Sequence, residues 1–529
     1  MRNEPRTSES SSPSHRWAAT LMLAAALVAG CSGGGGNEAS GTASDTAGGG
    51  DAGSVPATAK DWPRAALDSR FKSDRPDRDI LFGRSLSLSA DGRVLLVGSS
   101  TSDQFPVGQF EVFERDAQSG WQIVAPVPDP SGGRASGLGS SQQLVRDGQR
   151  VVLGAESWFG PYTRLGDGGD SNSVLGAVQV FDRQPDGAWQ AIALLTHPNP
   201  QPLDYLGRSV AASADGQLIV AGAPGRDFGD DSTNGSPIDS RQRSGAAYVY
   251  AHNGSGFELI QQLRHPNPDA DDHFGERLVL SADGATLVVA AHGDDSNALG
   301  VNGVAILQDN SDENSGAAMV YSRQADGRFA LDAVLKSPSN TQLDTFAYGL
   351  ALSADGNTLA VEAEGISAGL FEPWYDSPPA DITPGGEAIM YRRDANGWRF
   401  TQRIPAPSAS LGADRFGVCM TLSANGDFLA VGMPGFTGVP GDGGLNDGAV
   451  FTYVRNDAGG YRPFKSARLP EGLSGGESLG CSLAISADNR WLAAGSADET
   501  SGGSGINPAL DAEPRNFGSG AAYLFDLSR

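Results

Sequence analysis

The chain has 529 residues, of which 38 are Lys or Arg and 63 are Asp or Glu, giving a formal net charge of −25. That balance argues against duplex nucleic acid as a partner and leaves cations and basic surfaces electrostatically matched. With 72 glycines and 31 prolines, the composition favours many short strands and turns over long helices.

At the N-terminus Arg2, Arg6 and Arg16 precede an apolar run from Trp17 to Val28, too short for a membrane-spanning helix. The run ends in Val28-Ala29-Gly30-Cys31, followed by a Ser-Gly tract. These residues resemble a bacterial lipoprotein signal, which implies cleavage before Cys31, lipid attachment to its thiol and retention by a membrane. Ser32 is of the type that permits onward sorting to an outer membrane. The alternative is an ordinary secretory signal with a chance cysteine, and the choice between periplasmic and surface-facing display stays open. Residues 1–30 are therefore expected to be signal peptide, and residues 31–60 a lipidated cysteine with a flexible tether. Gly, Ala, Ser and Thr dominate that tether and cannot build a core.

From residue 61 to 529 one pattern recurs seven times: a bulky residue before Gly, a half-apolar strand, an Ala-Asp-Gly-like turn, a second apolar strand and a small-residue exit. The starting glycines are Gly83, Gly139, Gly207, Gly275, Gly349, Gly417 and Gly480. In the first copy Leu86 to Ser89 alternates, Asp91-Gly92 turns, and Val94 to Val97 follows as a more apolar strand. Gln109 to Phe113 and Trp121 to Val124 supply a third and a fourth. Seven such units give about 28 strands, too many for a sandwich, and predict an all-β, seven-bladed β-propeller with four-stranded blades. The last copy stops at Arg529 after three strands. Trp62 to Phe71 resembles the fourth strand of the other copies, so N- and C-terminal strands are expected to close the ring together.

The pairs Phe82-Gly83, Phe274-Gly275 and Phe416-Gly417, with Gly222-Ala223-Pro224-Gly225 and Gly432-Met433-Pro434-Gly435, resemble the FG-GAP repeat of the integrin α-chain propeller. Leu138, Leu206 and Leu479 stand for Phe in other copies, and Tyr348 is placed as the anchor of the fifth. The resemblance implies a rigid binding scaffold, with calcium in some blade loops.

The longest inserts follow the second strand of each unit, which places them on one face together with the blade-to-blade connections, and function is expected there. Two loops offer clustered oxygens: Asp230, Ser232 and Asn234 with Asp239, and Asp294, Asp295 and Asn297. Carboxylate and amide oxygens around a turn suit Ca²⁺. Neither group completes an Asp-x-Asp-x-Asp-Gly-x-x-Asp loop, and solvated turns remain the other reading. An acid three residues before the motif Gly recurs as Asp204, Asp272, Asp414 and Glu477, which suggests backbone capping. The paired phrases His197-Pro198-Asn199-Pro200 and His265-Pro266-Asn267-Pro268 read as copied turns and not as zinc ligands. Cys419 and Cys481 occupy nearly equivalent first-strand positions, either as a disulfide pair or as two small buried residues.

No nucleophile elbow, nucleotide loop or complete metal motif is present. The leading expectation is thus a noncatalytic ligand-binding or scaffolding lipoprotein of the bacterial cell envelope, adhesion-related, with an envelope protein or glycan as partner and no nucleic acid. An exported propeller enzyme acting on carbohydrate or another extracellular polymer stands second, and a structural envelope protein third.

Overall fold

A computed structural model describes residues 62–74, 80–99, 110–124, 135–158, 174–227, 243–302, 307, 310–338, 345–363, 386–407, 415–436, 447–469, 478–509 and 518–529. These form seven antiparallel sheets. The third blade shows the standard order, Val210–Ala212, Leu218–Ala223, Ala246–His252 and Phe257–Leu263, with chain neighbours paired throughout. First strands of successive blades touch all the way round, and the seventh meets the first. The fold is a closed seven-bladed β-propeller.

Closure uses both ends of the chain. The seventh blade takes Leu483–Ile485, Trp491–Ser496 and Ala521–Asp526 from the C-terminal part and Ala66–Lys72 as its next strand. Its register pairs Leu67 with Phe525 and Phe71 with Ala522, with an irregularity between Leu67 and Ser69. A short strand, Gly505–Ile506, adds to its outer edge, and Val301–Asn302 does the same in the fourth blade.

The core lies in the seams between blades. Phe274 is fully buried among Val220 and Val249 of the third blade and Leu287 and Tyr321 of the fourth. Burying such a side chain contributes about 1.5–3 kcal/mol. The same place is filled by Phe82, Leu138, Leu206, Phe416 and Leu479, all without exposed surface.

In the fifth blade the anchor is Phe346-Ala347, two residues ahead of the expected Tyr348-Gly349. Ala347 N donates to Glu362 O at 2.9 Å, as Gly207 N does to Gly222 O and Gly275 N to Ala290 O, both 2.9 Å. Phe346 is fully buried and Tyr348 is not. Ala347 takes the left-handed φ of +78° that the motif Gly normally supplies, so a search for glycine misses the pair.

The turn between first and second strands is held by its serine. Ser281 Oγ donates to Asp283 Oδ1 at 2.6 Å and accepts from Thr286 N at 2.9 Å. Ser89, Ser213, Ser353, Ser423 and Ser486 repeat both bonds, with Asn425 replacing the acid once.

Cys419 and Cys481 are both free thiols. Cys419 Sγ donates to the Cys481 carbonyl and Cys481 Sγ lies 3.7 Å from Gly83 O, so neither sulfur is directed at the other. Burial pushes the two thiols up to about 11 and about 12.

Candidate functional site

In the third, fourth, sixth and seventh blades the third residue beyond the second strand is described, and it turns inward. Arg226, Asp294 and Glu499 are equivalent in this respect: the carbonyl of each accepts from Gly245, Gly316 or Gly520 N, at 3.0, 2.8 and 2.9 Å. The outer strand of the same or preceding blade ends beside them, bringing Lys72, His197, His265 and Lys336 into the seam.

In the seventh blade the result is an ion network. Glu499 pairs with Lys72 and, at 2.9 Å, with Arg70, while Lys72 Nζ also donates to Ser519 Oγ at 2.8 Å. The fourth blade repeats it: Lys336 Nζ donates to Asp294 Oδ1 at 2.7 Å and to Ser315 Oγ at 2.8 Å. In the third blade Arg226 lies 3.1 Å from Asp204, which also faces His197 Nε2 at 3.0 Å.

The fourth-blade network holds more. His265 Nε2 lies 3.2 Å from Asp294 Oδ2, and Nδ1 lies 3.4 Å from Asp272 Oδ2. Ligand atoms of His265, Asp272 and Asp294 all fall within 4.8 Å of one another, a potential metal-binding triad and the one such group found among the described residues. The three are 3%, 1% and 2% exposed, so solvent does not screen their interaction.

Electrostatics differ sharply across this group. Burial opposes the ionised form of Asp294, but His265 and Lys336 outweigh it and hold the carboxyl well below its usual range. Asp272 is pushed up to about 7, chiefly by burial. Burial draws His265 down, yet Asp294 and Asp272 together leave it above its ordinary value. Lys336 is lowered by burial.

The sequence expectations meet this geometry unevenly. Asp294, Asp295 and Asn297 do not converge on a common point: Asp294 turns into the seam, Asp295 Oδ1 accepts from Asn314 N at 2.7 Å, and exposed Asn297 donates to Ser311 Oγ at 2.9 Å. Asp230, Ser232, Asn234 and Asp239 lie outside the described residues, as do Cys31, Asp414 and Glu477. Asp204 and Asp272 do cap backbone, accepting from Gln201 N at 2.6 Å and Asp269 N at 2.7 Å. The expectation that the chain is more a noncatalytic binder than an enzyme is corrected here. It rested on there being no constellation fit for chemistry, and the buried His265–Asp272–Asp294 group removes that ground. Reading the His-Pro turns as structural alone missed it.

A cleft of about 670 Å³ is lined by residues of second-strand exits and blade connections, among them His273, next in the chain to Asp272. Its lining includes Glu156, Tyr205, Arg208, Arg243, His273 and Glu276. Arg208 bridges Glu156 and Glu276, each at 2.8 Å. Burial works against Glu276, but Arg208 keeps its carboxyl below the ordinary value. His273 stacks on His292 with ring centroids 5.1 Å apart and planes 6° from parallel. Burial lowers both imidazoles, His292 to about 4. A second cleft, about 760 Å³, lies among the turns of the opposite face, where Asp427 is paired with Arg455.

No protein-family model matches the chain, and no curated protein does. Among solved structures it is similar to the periplasmic gluconolactonase of Pseudomonas aeruginosa, with 17% identity over 73% of this chain and 85% of that one and a TM-score of 0.42. A functionally unknown protein from Desulfotomaculum acetoxidans is 12% identical over 72% and 85%, with a TM-score of 0.38. Values this low identify no activity.

Proposed function

We propose that the chain is an exported β-propeller enzyme that acts on a carbohydrate or another extracellular polymer in the Glu156–Arg208–Glu276–His273 cleft. The observation that carries this reading is a cleft lined by acids, Arg208 and the imidazole of His273, which is next in the chain to Asp272 of the buried His-Asp-Asp group. His273, held below its ordinary value, is unprotonated at neutral pH and can take a proton from a substrate hydroxyl or water. Arg208 fixes the two carboxylates on either side and offers hydrogen-bond donors to a sugar or ester oxygen as charge develops on it.

The setting is proposed with it. Val28-Ala29-Gly30-Cys31 supports cleavage after residue 30 and a lipid on Cys31, with 31–60 as tether and 61–529 as the catalytic propeller at a bacterial outer membrane. The recurrent anchor-Gly pairs, with Gly222-Ala223-Pro224-Gly225 and Gly432-Met433-Pro434-Gly435, support kinship with the FG-GAP propellers.

The test is turnover of a panel of neutral, acidic and esterified polysaccharides by the full chain, read as new chain ends. His273→Ala should lower kcat by about 100-fold or more while the melting temperature holds. Polymers that are retained but never cleaved would defeat the enzymatic reading.

A further inference from the structure

We propose that His265, Asp272 and Asp294 form a binding site for one divalent ion of the zinc class. This goes beyond the enzymatic reading and does not depend on it.

Comparison of the three equivalent networks separates what the fold requires from what is extra. In the seventh blade, Lys72, Glu499 and Ser519 make a lock with no imidazole, and Lys336, Asp294 and Ser315 reproduce its ammonium–carboxylate and ammonium–hydroxyl contacts in the fourth. That lock uses Asp294 Oδ1, which also accepts from Ser296 N at 3.2 Å. Oδ2 is left for His265. In the third blade the position of Asp294 is held by Arg226, whose guanidinium supplies a fixed cation to Asp204 beside His197. Among these three sites the fourth blade alone sets two carboxylates and an imidazole together.

The tautomer of His265 points the same way. Its Nδ1 lies 2.7 Å from the Asn267 carbonyl, which can only accept, so Nδ1 carries a hydrogen and donates it. In the neutral ring Nε2 is then a bare lone pair. It is deeply buried, makes no hydrogen bond, and faces Asp294 Oδ2, itself an acceptor, at 3.2 Å. Two acceptors face to face require a proton or a metal ion between them, and the three-ligand setting is what favours the metal. Ligands bound at about 2.0–2.1 Å to a tetrahedral zinc ion stand about 3.3 Å apart, so the observed spacing is that of one edge of such a shell. A backbone carbonyl accepting from the far ring nitrogen is the usual support for a metal-binding histidine. Asp272 has a carboxylate oxygen within 4.8 Å of the other ligand atoms; its Oδ2 now lies 3.4 Å from Nδ1 and accepts from Asp269 N, so as third ligand it would have to turn from that cap toward Nε2.

One nitrogen and two carboxylates suit zinc and its neighbours, whereas Ca²⁺ calls for six to eight oxygens. The site therefore belongs to different chemistry from the calcium loops expected in the sequence.

The experiment uses the full chain stripped by chelator, incubated long enough for a buried site, then dialysed against Zn²⁺ or Ca²⁺. One zinc per chain, with a raised melting temperature and Zn²⁺ preferred over Ca²⁺, is expected. His265→Ala should weaken zinc binding by more than about 100-fold, and His197→Ala, at the equivalent site closed by Arg226, should leave it unchanged. Should His265→Ala fail to fold, Asp272→Asn serves as the second variant. No retained zinc in the wild type, equal retention in the His265 and Asp272 variants, or tighter Ca²⁺ binding would each overturn the proposal. The first of these would leave a proton as the cation between His265 and Asp294.

Discussion

Gly222 and Gly275 touch backbone to backbone across the seam between the third and fourth blades: a Cβ added to Gly222 would lie 1.9 Å from the Gly275 carbonyl oxygen. The same contact joins Gly154 to Gly207, Gly432 to Gly480 and Gly495 to Gly83, at 2.0, 2.1 and 1.9 Å by the same measure. The two halves of the repeated phrase are thus the two sides of one inter-blade joint. Ser209 completes it by donating its hydroxyl to Gly275 O at 2.8 Å.

Gly222→Ala should therefore destabilise the protein, because the obstacle is backbone and cannot rotate away. A loss of about 1–3 kcal/mol or more is expected from overpacking. Gly256→Ala, where an added Cβ meets nothing within 4 Å, should stay within about 0.5 kcal/mol of wild type. Urea unfolding of the two variants checks the contrast, and equal midpoints would mean that the joint yields.

Ring closure makes a second prediction. Phe71, on the N-terminal strand, is fully buried with its ring 4.9 Å from Phe113 and 5.2 Å from Trp121 by centroids. Phe71→Ala should cost about 3–5 kcal/mol. Leu67→Ala on the same strand, where the side chain is 38% exposed, should cost far less. Thermal unfolding followed by circular dichroism would separate them, and similar losses would show that the strand is held by its backbone ladder alone.

The seventh-blade lock gives a third. Glu499→Gln leaves Lys72 buried without its full counter-charge and should destabilise by about 3–5 kcal/mol. The double variant Lys72→Met/Glu499→Met removes that pair but leaves buried Arg70 without Glu499, so it should recover only part of the loss. A double variant no better than the single one would mean that Lys72 and Glu499 contribute through packing.

The architecture was legible because the blades repeat one local solution: an anchor in the seam, two apolar strands and, except in the second blade where Val145 takes its place, a serine-held turn. Phe346-Ala347 escaped notice because Ala347 tolerates a backbone angle that sequence reading reserves for glycine. The site was less legible still. His265, Asp272 and Asp294 are brought together by two connections of different blades, at spacings no linear motif describes. The usable signal was alignment of the copies, which sets Asp294 against Arg226 and Glu499. Reading Asp294 with Asp295 and Asn297 grouped residues that are close in the chain and directed apart in space.

Glu111 supplies the prediction for pH. The residue is 6% exposed, and burial, aided by the charge of Asp74 and opposed by the Ser73 hydroxyl at 2.6 Å, raises its carboxyl from 4.5 to about 7. The folded protein therefore holds this proton more tightly than the unfolded chain does. The stability it contributes is complete below about pH 4.5 and is lost as pH rises through about 7. Each unit of separation between the two pKa values corresponds to about 1.4 kcal/mol. Glu111→Gln keeps the shape and removes the titration, so its stability relative to wild type should rise between pH 4.5 and 7 and level off above. Chemical denaturation at pH 4.5, 6 and 7.5 measures that difference; a constant offset between the two proteins would show that Glu111 ionises at its ordinary value.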